Sequence, residues 1–203
     1  MTSTTLRELN GFDETPASLT DSTLVLIDYQ NTYTQGVMEL TDWKPALEAA
    51  AELLTAARAA GTPVIHVIND GGKDTPYDIT TDIGRIHPQL SPTPDEPTVV
   101  KSAPKAFVNT DLAELVDAAG NTNLIIAGFM THMCVTFTTE GAFLRGNTPT
   151  VVTNACATRP SAKSPQPNST PAPWPPSPTC TASSSTPPPT SPISRRQAFF
   201  QRK

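Results

Sequence analysis

Long apolar runs are missing from this chain. None approaches the ~18 residues that a bilayer-spanning helix requires, so the sequence is not that of a helical membrane protein. The opening MTSTTLRELNGFDET lacks a basic segment followed by an apolar one, so no export signal is expected and the cytoplasm is the expected compartment. Cysteine is scarce: three in 203 residues, widely spaced and odd in number. Such a set builds neither a disulfide framework nor a zinc cluster, and it suits a reducing compartment. Positive charge is also short, with 14 Lys and Arg against 19 Asp and Glu and a net charge of -5. Nucleic acid and acidic membrane surfaces are therefore not expected as partners. No G-x-G-x-x-G follows a strand and no G-x-x-x-x-G-K-[ST] is present, so no nucleotide is expected. The absence of a C-x-x-C pair argues against a flavodoxin-like redox module. Asp70 stands in NDGGKD without a nearby histidine, so neither a metal nor another cofactor is expected.

What is present is an alternation of short apolar runs with helical patterns, in a length that fits one domain. TLVLID (23–28) is a continuous apolar run ending in an acid, as expected of a strand buried on both faces. PALEAAAELLTAARAA (45–60) predicts a helix, with proline near its start, Gly61 after its end, and Leu47, Ala50, Leu54 and Ala57 as its apolar stripe. Further strands are predicted at 63–69, 97–101, 123–129 and 149–155, and further helices at 110–120 and 134–146. The polar stretch from Asp70 to Asp95 is too long for an ordinary connection and predicts a functional loop or short helices. Strands and helices in this order imply an α/β, Rossmann-like, doubly wound parallel sheet in three layers, α/β/α. Ligands bind such sheets beyond the carboxyl ends of the strands.

Three candidates for chemistry stand at those ends. Asp28 closes the first strand, Lys101 closes the third, and Cys134 follows the fourth. A cysteine at a helix N-terminus feels the positive end of the dipole, which predicts a lowered pKa and a nucleophilic thiolate. A lysine would assist, and a carboxylate could take the thiol proton and return it to a leaving group. Each residue has a plainer reading: a small buried hydrophobe for Cys134, a turn cap for Asp28, a solvated amine for Lys101. Lys105 competes with Lys101. His66, inside a strand, reads as a satisfied core histidine.

Taken together, LIDYQN (26–31), the K-x-x-x-x-A-F run from Lys101 to Phe107 with NTDL (109–112) after it, and GFMTHMCV (128–135) resemble the isochorismatase-like cysteine hydrolases. NACATRP (154–160) resembles that family's next block. The resemblance covers roughly 22–160. It implies a catalytic Asp28–Lys101–Cys134 triad and a non-proline cis peptide at Phe129–Met130. That peptide would turn the Met130 N–H toward that of Cys134 to form an oxyanion hole. Gln30, Phe107, Thr131 and His132 lie within these motifs and are expected to bind substrate. The implied reaction is hydrolysis of a C–N bond in a small-molecule amide, lactam or imide, in a homodimer or larger homo-oligomer. The opening and the GFMTHMCV variant are similar to streptothricin hydrolase-like members, which open a lactam. The alternative is a damaged relative that only binds a small molecule or a partner subunit.

Composition changes after Pro160. Twelve of the 22 prolines lie in 160–203, among serines and threonines. Residues 1–160 thus read as a hydrolase domain lacking its last helix and strand, and 161–203 as an irregular tail. A shifted reading frame is the expected origin of the tail, with a native Pro/Ser/Thr-rich tail as the alternative. If Ser183, Ser184 and Ser185 use TCx codons, the shifted text reads three apolar residues in a row, as a buried strand would. Some five core side chains at ~1.5–3 kcal/mol each would be missing, which rivals the ~5–15 kcal/mol stability of a domain. The chain as written is therefore expected to melt below ~60 °C in differential scanning calorimetry.

Overall fold

A computed structural model of the chain describes residues 4, 6–11 and 15–159. The tail at 161–203, with its shifted-frame reading, lies outside the described residues. The expected strands form as β1 (Ser22–Ile27), β2 (Val64–Asn69), β3 (Thr98–Lys101), β4 (Asn123–Gly128) and β5 (Thr148–Val151). All pairings are parallel, in the order β3-β2-β1-β4-β5. The helices are a short α1 (Leu6–Leu9), α2 (Trp43–Ala60), α3 (Leu112–Ala119) and α4 (Thr136–Leu144).

The central strand explains the layers. Every residue of β1 is buried, and its side chains alternate between two cores. Leu24 and Leu26 meet Leu47, Ala50, Leu54 and Ala57, the predicted stripe of α2. Val25 and Ile27 meet Leu112 and Val116 of α3 and Ala142 of α4. Helix α2 ends where Gly61 takes a left-handed φ of 71° and its N–H returns to the Ala57 and Arg58 carbonyls.

Strand order reverses at β1, which pairs with β2 on one side and β4 on the other. Such a switch point opens a crevice beyond the strand ends. Gly128, at the end of β4, is what lets the two strands close there. A Cβ on it would lie 2.3 Å from the Ile27 carbonyl oxygen. Gly128→Ala is expected to cost ~1–3 kcal/mol by overpacking, read as an earlier urea midpoint with unchanged slope.

One segment differs from expectation, and the 70–95 stretch has the short helices expected of it. Strand β5 ends at Val151, and Thr153–Ala155 is a 3₁₀ turn rather than more strand. The turn is held from inside, because the Tyr29 hydroxyl donates to the Ala155 carbonyl. The 70–95 stretch contains short 3₁₀ turns, Asp82–Gly84 and Pro88–Leu90, and folds back along the segment after β1. His87 N–H bonds the Tyr29 carbonyl, and Asn31 N–H bonds that of Arg85. At the end of that stretch, Glu96 binds Arg58 at 2.7 Å and His66 at 3.0 Å, so His66 is a partnered core residue.

Candidate active site

Asp28 is the residue at which the chain leaves β1, and it does so with φ at 54°. That left-handed conformation is uncommon outside glycine. The side chain is fully buried beside the switch point. Lys101 starts two strands away, roughly 9–10 Å at ordinary strand spacing. Its long stem covers the gap, and the ammonium lies 2.8 Å from Asp28 Oδ2, with both side chains fully enclosed. The same ammonium donates to Cys134 Sγ at 3.3 Å and to Asn69 Oδ1 at 3.3 Å. Lys105, the competitor, pairs instead with Glu140 at 2.9 Å. Sulfur and carboxylate thus share one nitrogen.

Cys134 does not sit at the first turn of a regular α-helix. It lies in a wide π-helical turn, Thr131–Val135, that runs into α4. Two bonds five residues apart define that turn, Val135 N–H to the Met130 carbonyl and Thr136 N–H to that of Thr131. The expected thiolate is corrected as well. Burial first, then the Asp28 charge, push the Cys134 thiol up to about 12, against the downward pull of Lys101. These influences favour the thiol over the thiolate beside the Asp28–Lys101 contact. Burial also raises the Asp28 carboxyl above its ordinary value despite Lys101 and Cys134, which makes it a stronger base. Alkylation of Cys134 by iodoacetamide is accordingly expected to rise about tenfold per pH unit from pH 7 to 10, without a plateau. Peptide mass spectrometry reads this directly, and a plateau below pH 8 would show a preformed thiolate.

The Phe129–Met130 peptide is cis. Phe129 is fully buried, with Tyr29 edge-on at 4.7 Å and Tyr33 at 5.8 Å. Tyr77, from the 70–95 stretch, stands 5.8 Å from Tyr33. Burial chiefly raises both phenols, and the Asp28 charge raises them further.

The four expected substrate contacts fare differently. The expectation for Gln30 is corrected. It is fully buried, and its amide is spent on the Asn69 backbone at both ends and on the Gly84 carbonyl. Phe107 packs toward α4, where a Cβ on Gly141 would meet its ring at 2.9 Å and Arg145 lies 5.3 Å over its face. The Thr131 hydroxyl and N–H both donate to the Ala157 carbonyl. His132 is exposed and its Nδ1 contacts the Thr158 hydroxyl. Sequence reasoning missed Asn69, Tyr33 and Tyr77. Asn69 carried a usable signal, because it closes β2 as Asp28 and Lys101 close their strands.

The isochorismatase domain family matches residues 22–166. A secreted isochorismatase effector of Verticillium dahliae is 30% identical over 69% of this chain and 74% of its own. A streptothricin hydrolase of Streptomyces noursei is 34% identical over 61% of this chain and 49% of its own, so this chain spans about half of that relative. The crystal structure of an isochorismatase from Pseudomonas putida superposes with a TM-score of 0.75 at 37% identity, covering 79% of this chain and 83% of that one. One relative is named secreted, so family membership does not fix the compartment, and among the described residues no helix is long and apolar enough to cross a membrane. With the parallel sheet and these likenesses together, the chain belongs to the isochorismatase family and is a hydrolase.

Proposed function

We propose that the protein hydrolyses a C–N bond of a small-molecule amide, lactam or imide, with Cys134 as nucleophile. The observation that carries this reading is the single ammonium that holds Asp28 at 2.8 Å and Cys134 at 3.3 Å. The similarity to a streptothricin hydrolase supports the bond type. Asp28 takes the proton of the Cys134 thiol as sulfur attacks the carbonyl carbon. Lys101 keeps positive charge beside the sulfur while it is deprotonated. The oxyanion is met by the backbone N–H groups of Met130 and Cys134. The Met130 N–H makes no hydrogen bond among the described residues and is available. Such a donor is worth about 10²–10³ in rate. The C–N bond then breaks, and Asp28 gives its proton to the departing nitrogen. Water attacks the thioester carbonyl as Asp28 takes its proton, the C–S bond breaks, and Asp28 returns that proton to sulfur, so the acid leaves with the thiol restored.

The test is mass spectrometry of the chain quenched during turnover of a lactam and imide panel. A mass increment equal to the acyl part, located on the Cys134 peptide, is expected. Turnover with no acyl adduct on Cys134 would exclude this mechanism.

The same reading includes a cytoplasmic homo-oligomer, measured by light scattering, and a domain boundary near Pro160 with a frameshifted tail. The gene's nucleotide sequence tests the last point. An alternative frame without an apolar run would refute it.

A further inference from the structure

Asn69 is held from three directions. Its Cα pairs in register with Lys101. Gln30 clamps its backbone: Oε1 accepts the Asn69 N–H at 2.9 Å and Nε2 donates to the Asn69 carbonyl at 2.9 Å. Lys101 Nζ donates to its side-chain Oδ1 at 3.3 Å. An ammonium has donors only, so the oxygen of the carboxamide must face it and the NH₂ group must face elsewhere. That NH₂ has no acceptor among the described residues. Asn69 is half-buried, and its Nδ2 is not among the sealed, unpartnered atoms. The result is a fixed amide with a free two-hydrogen donor, next to the ammonium that also holds the sulfur of Cys134. Steadying Lys101 uses only the oxygen of Asn69. The nitrogen is left for a ligand.

We propose that Asn69 Nδ2 is a specificity-determining donor, which bonds a second carbonyl oxygen carried on the scissile nitrogen of the substrate. The site then takes imides and acylureas ahead of simple lactams. This rests on Cys134 being the attacking atom. It is a substrate-reading role, separate from any steadying of Lys101. A site that hydrogen-bonds a substrate group discriminates against the analogue that lacks it, because a donor that the bound ligand covers is then left unpaired.

The experiment compares glutarimide with δ-valerolactam, six-membered rings that differ by one carbonyl oxygen. Binding is measured calorimetrically on the Cys134→Ser chain, which has no thiol to consume the ligand. Glutarimide is expected to bind at least about tenfold tighter. Asn69→Leu, added to that chain, is expected to bring the ratio to about one. Asn69→Asp keeps the shape and replaces the donor with an acceptor, and it is expected to remove the preference too. It also stands in should the leucine variant not fold. A preference that survives in the folded Asn69 variants, or no preference for glutarimide in the parent, overturns the proposal. So does the absence of binding by both rings. Hydrolysis is followed separately on the chain with Cys134 intact. No turnover of any amide removes the nucleophile reading and leaves the binding ratio to be read. Turnover with a flat ratio removes only the role of Asn69.

Discussion

Cys134→Ala is expected to lower hydrolysis by at least about 10³-fold while leaving the fold in place. The loss is large because the sulfur carries the covalent step, so the acid–base pair and the oxyanion donors have nothing left to assist. The fold should survive because little is removed. Cys134 is 7% exposed, and alanine takes away one atom from a site walled by Val135 and the second core. Ring opening of the best lactam or imide, followed by chromatography of the acid formed, measures the effect, with circular dichroism as the control for folding. Full activity in a folded Cys134→Ala chain would mean that water, activated by Asp28, does the work. The raised thiol makes that a live contrast: a site with a neutral Cys134 and a basic Asp28 could activate either nucleophile.

Lys101→Met carries the next largest effect, and it acts on stability as well as rate. The Asp28–Lys101 pair is fully enclosed, and removing one partner strands the other charge. Breaking such a pair costs about 3–5 kcal/mol. The sign of the pH dependence follows from Asp28. Burial already raises its folded carboxyl above the ordinary 3.8, and loss of Lys101 removes the largest opposing influence. A carboxyl raised in the folded state binds its proton more tightly there than in the unfolded chain. Stability therefore falls as pH rises from the ordinary value to the raised one. The variant is expected to be more stable at pH 5 than at pH 8, by urea unfolding, with a steeper slope than the parent. Asp28→Asn combined with Lys101→Met leaves no buried charge and should recover part of the loss. Equal, pH-independent losses in the single and double variants would mean that packing, not charge, is what Lys101 supplies.

Much of this site was legible before folding was considered. Asp28, Lys101 and Cys134 each follow or close an apolar run, and a parallel sheet gathers its strand ends on one edge. That periodic pattern is local, so the sequence carries it. Asn69 obeys the same rule, since it closes β2. Gln30 went the other way. It lies inside a matching motif, yet its amide is consumed by Asn69 and Gly84, and Gly84 comes from a loop more than fifty residues on. The Cys134 thiol was misjudged for the same reason. A helix-end dipole can be read from sequence, but burial and a carboxylate brought in from β1 cannot, and they win.

By itself the sequence determined the order of strands and helices, the burial of β1 on both faces, the stripe of α2, and the three residue types available at the strand ends. Those follow from hydrophobic period and from capping, which act over a few residues. Tertiary structure alone decided that the one ammonium of Lys101 holds both Asp28 and Cys134, that Cys134 lies in a π-helical turn where burial raises its thiol, and that one half of the Asn69 amide is left free. Each of these depends on distances and on exclusion of water between segments far apart in the chain, and no local pattern encodes either.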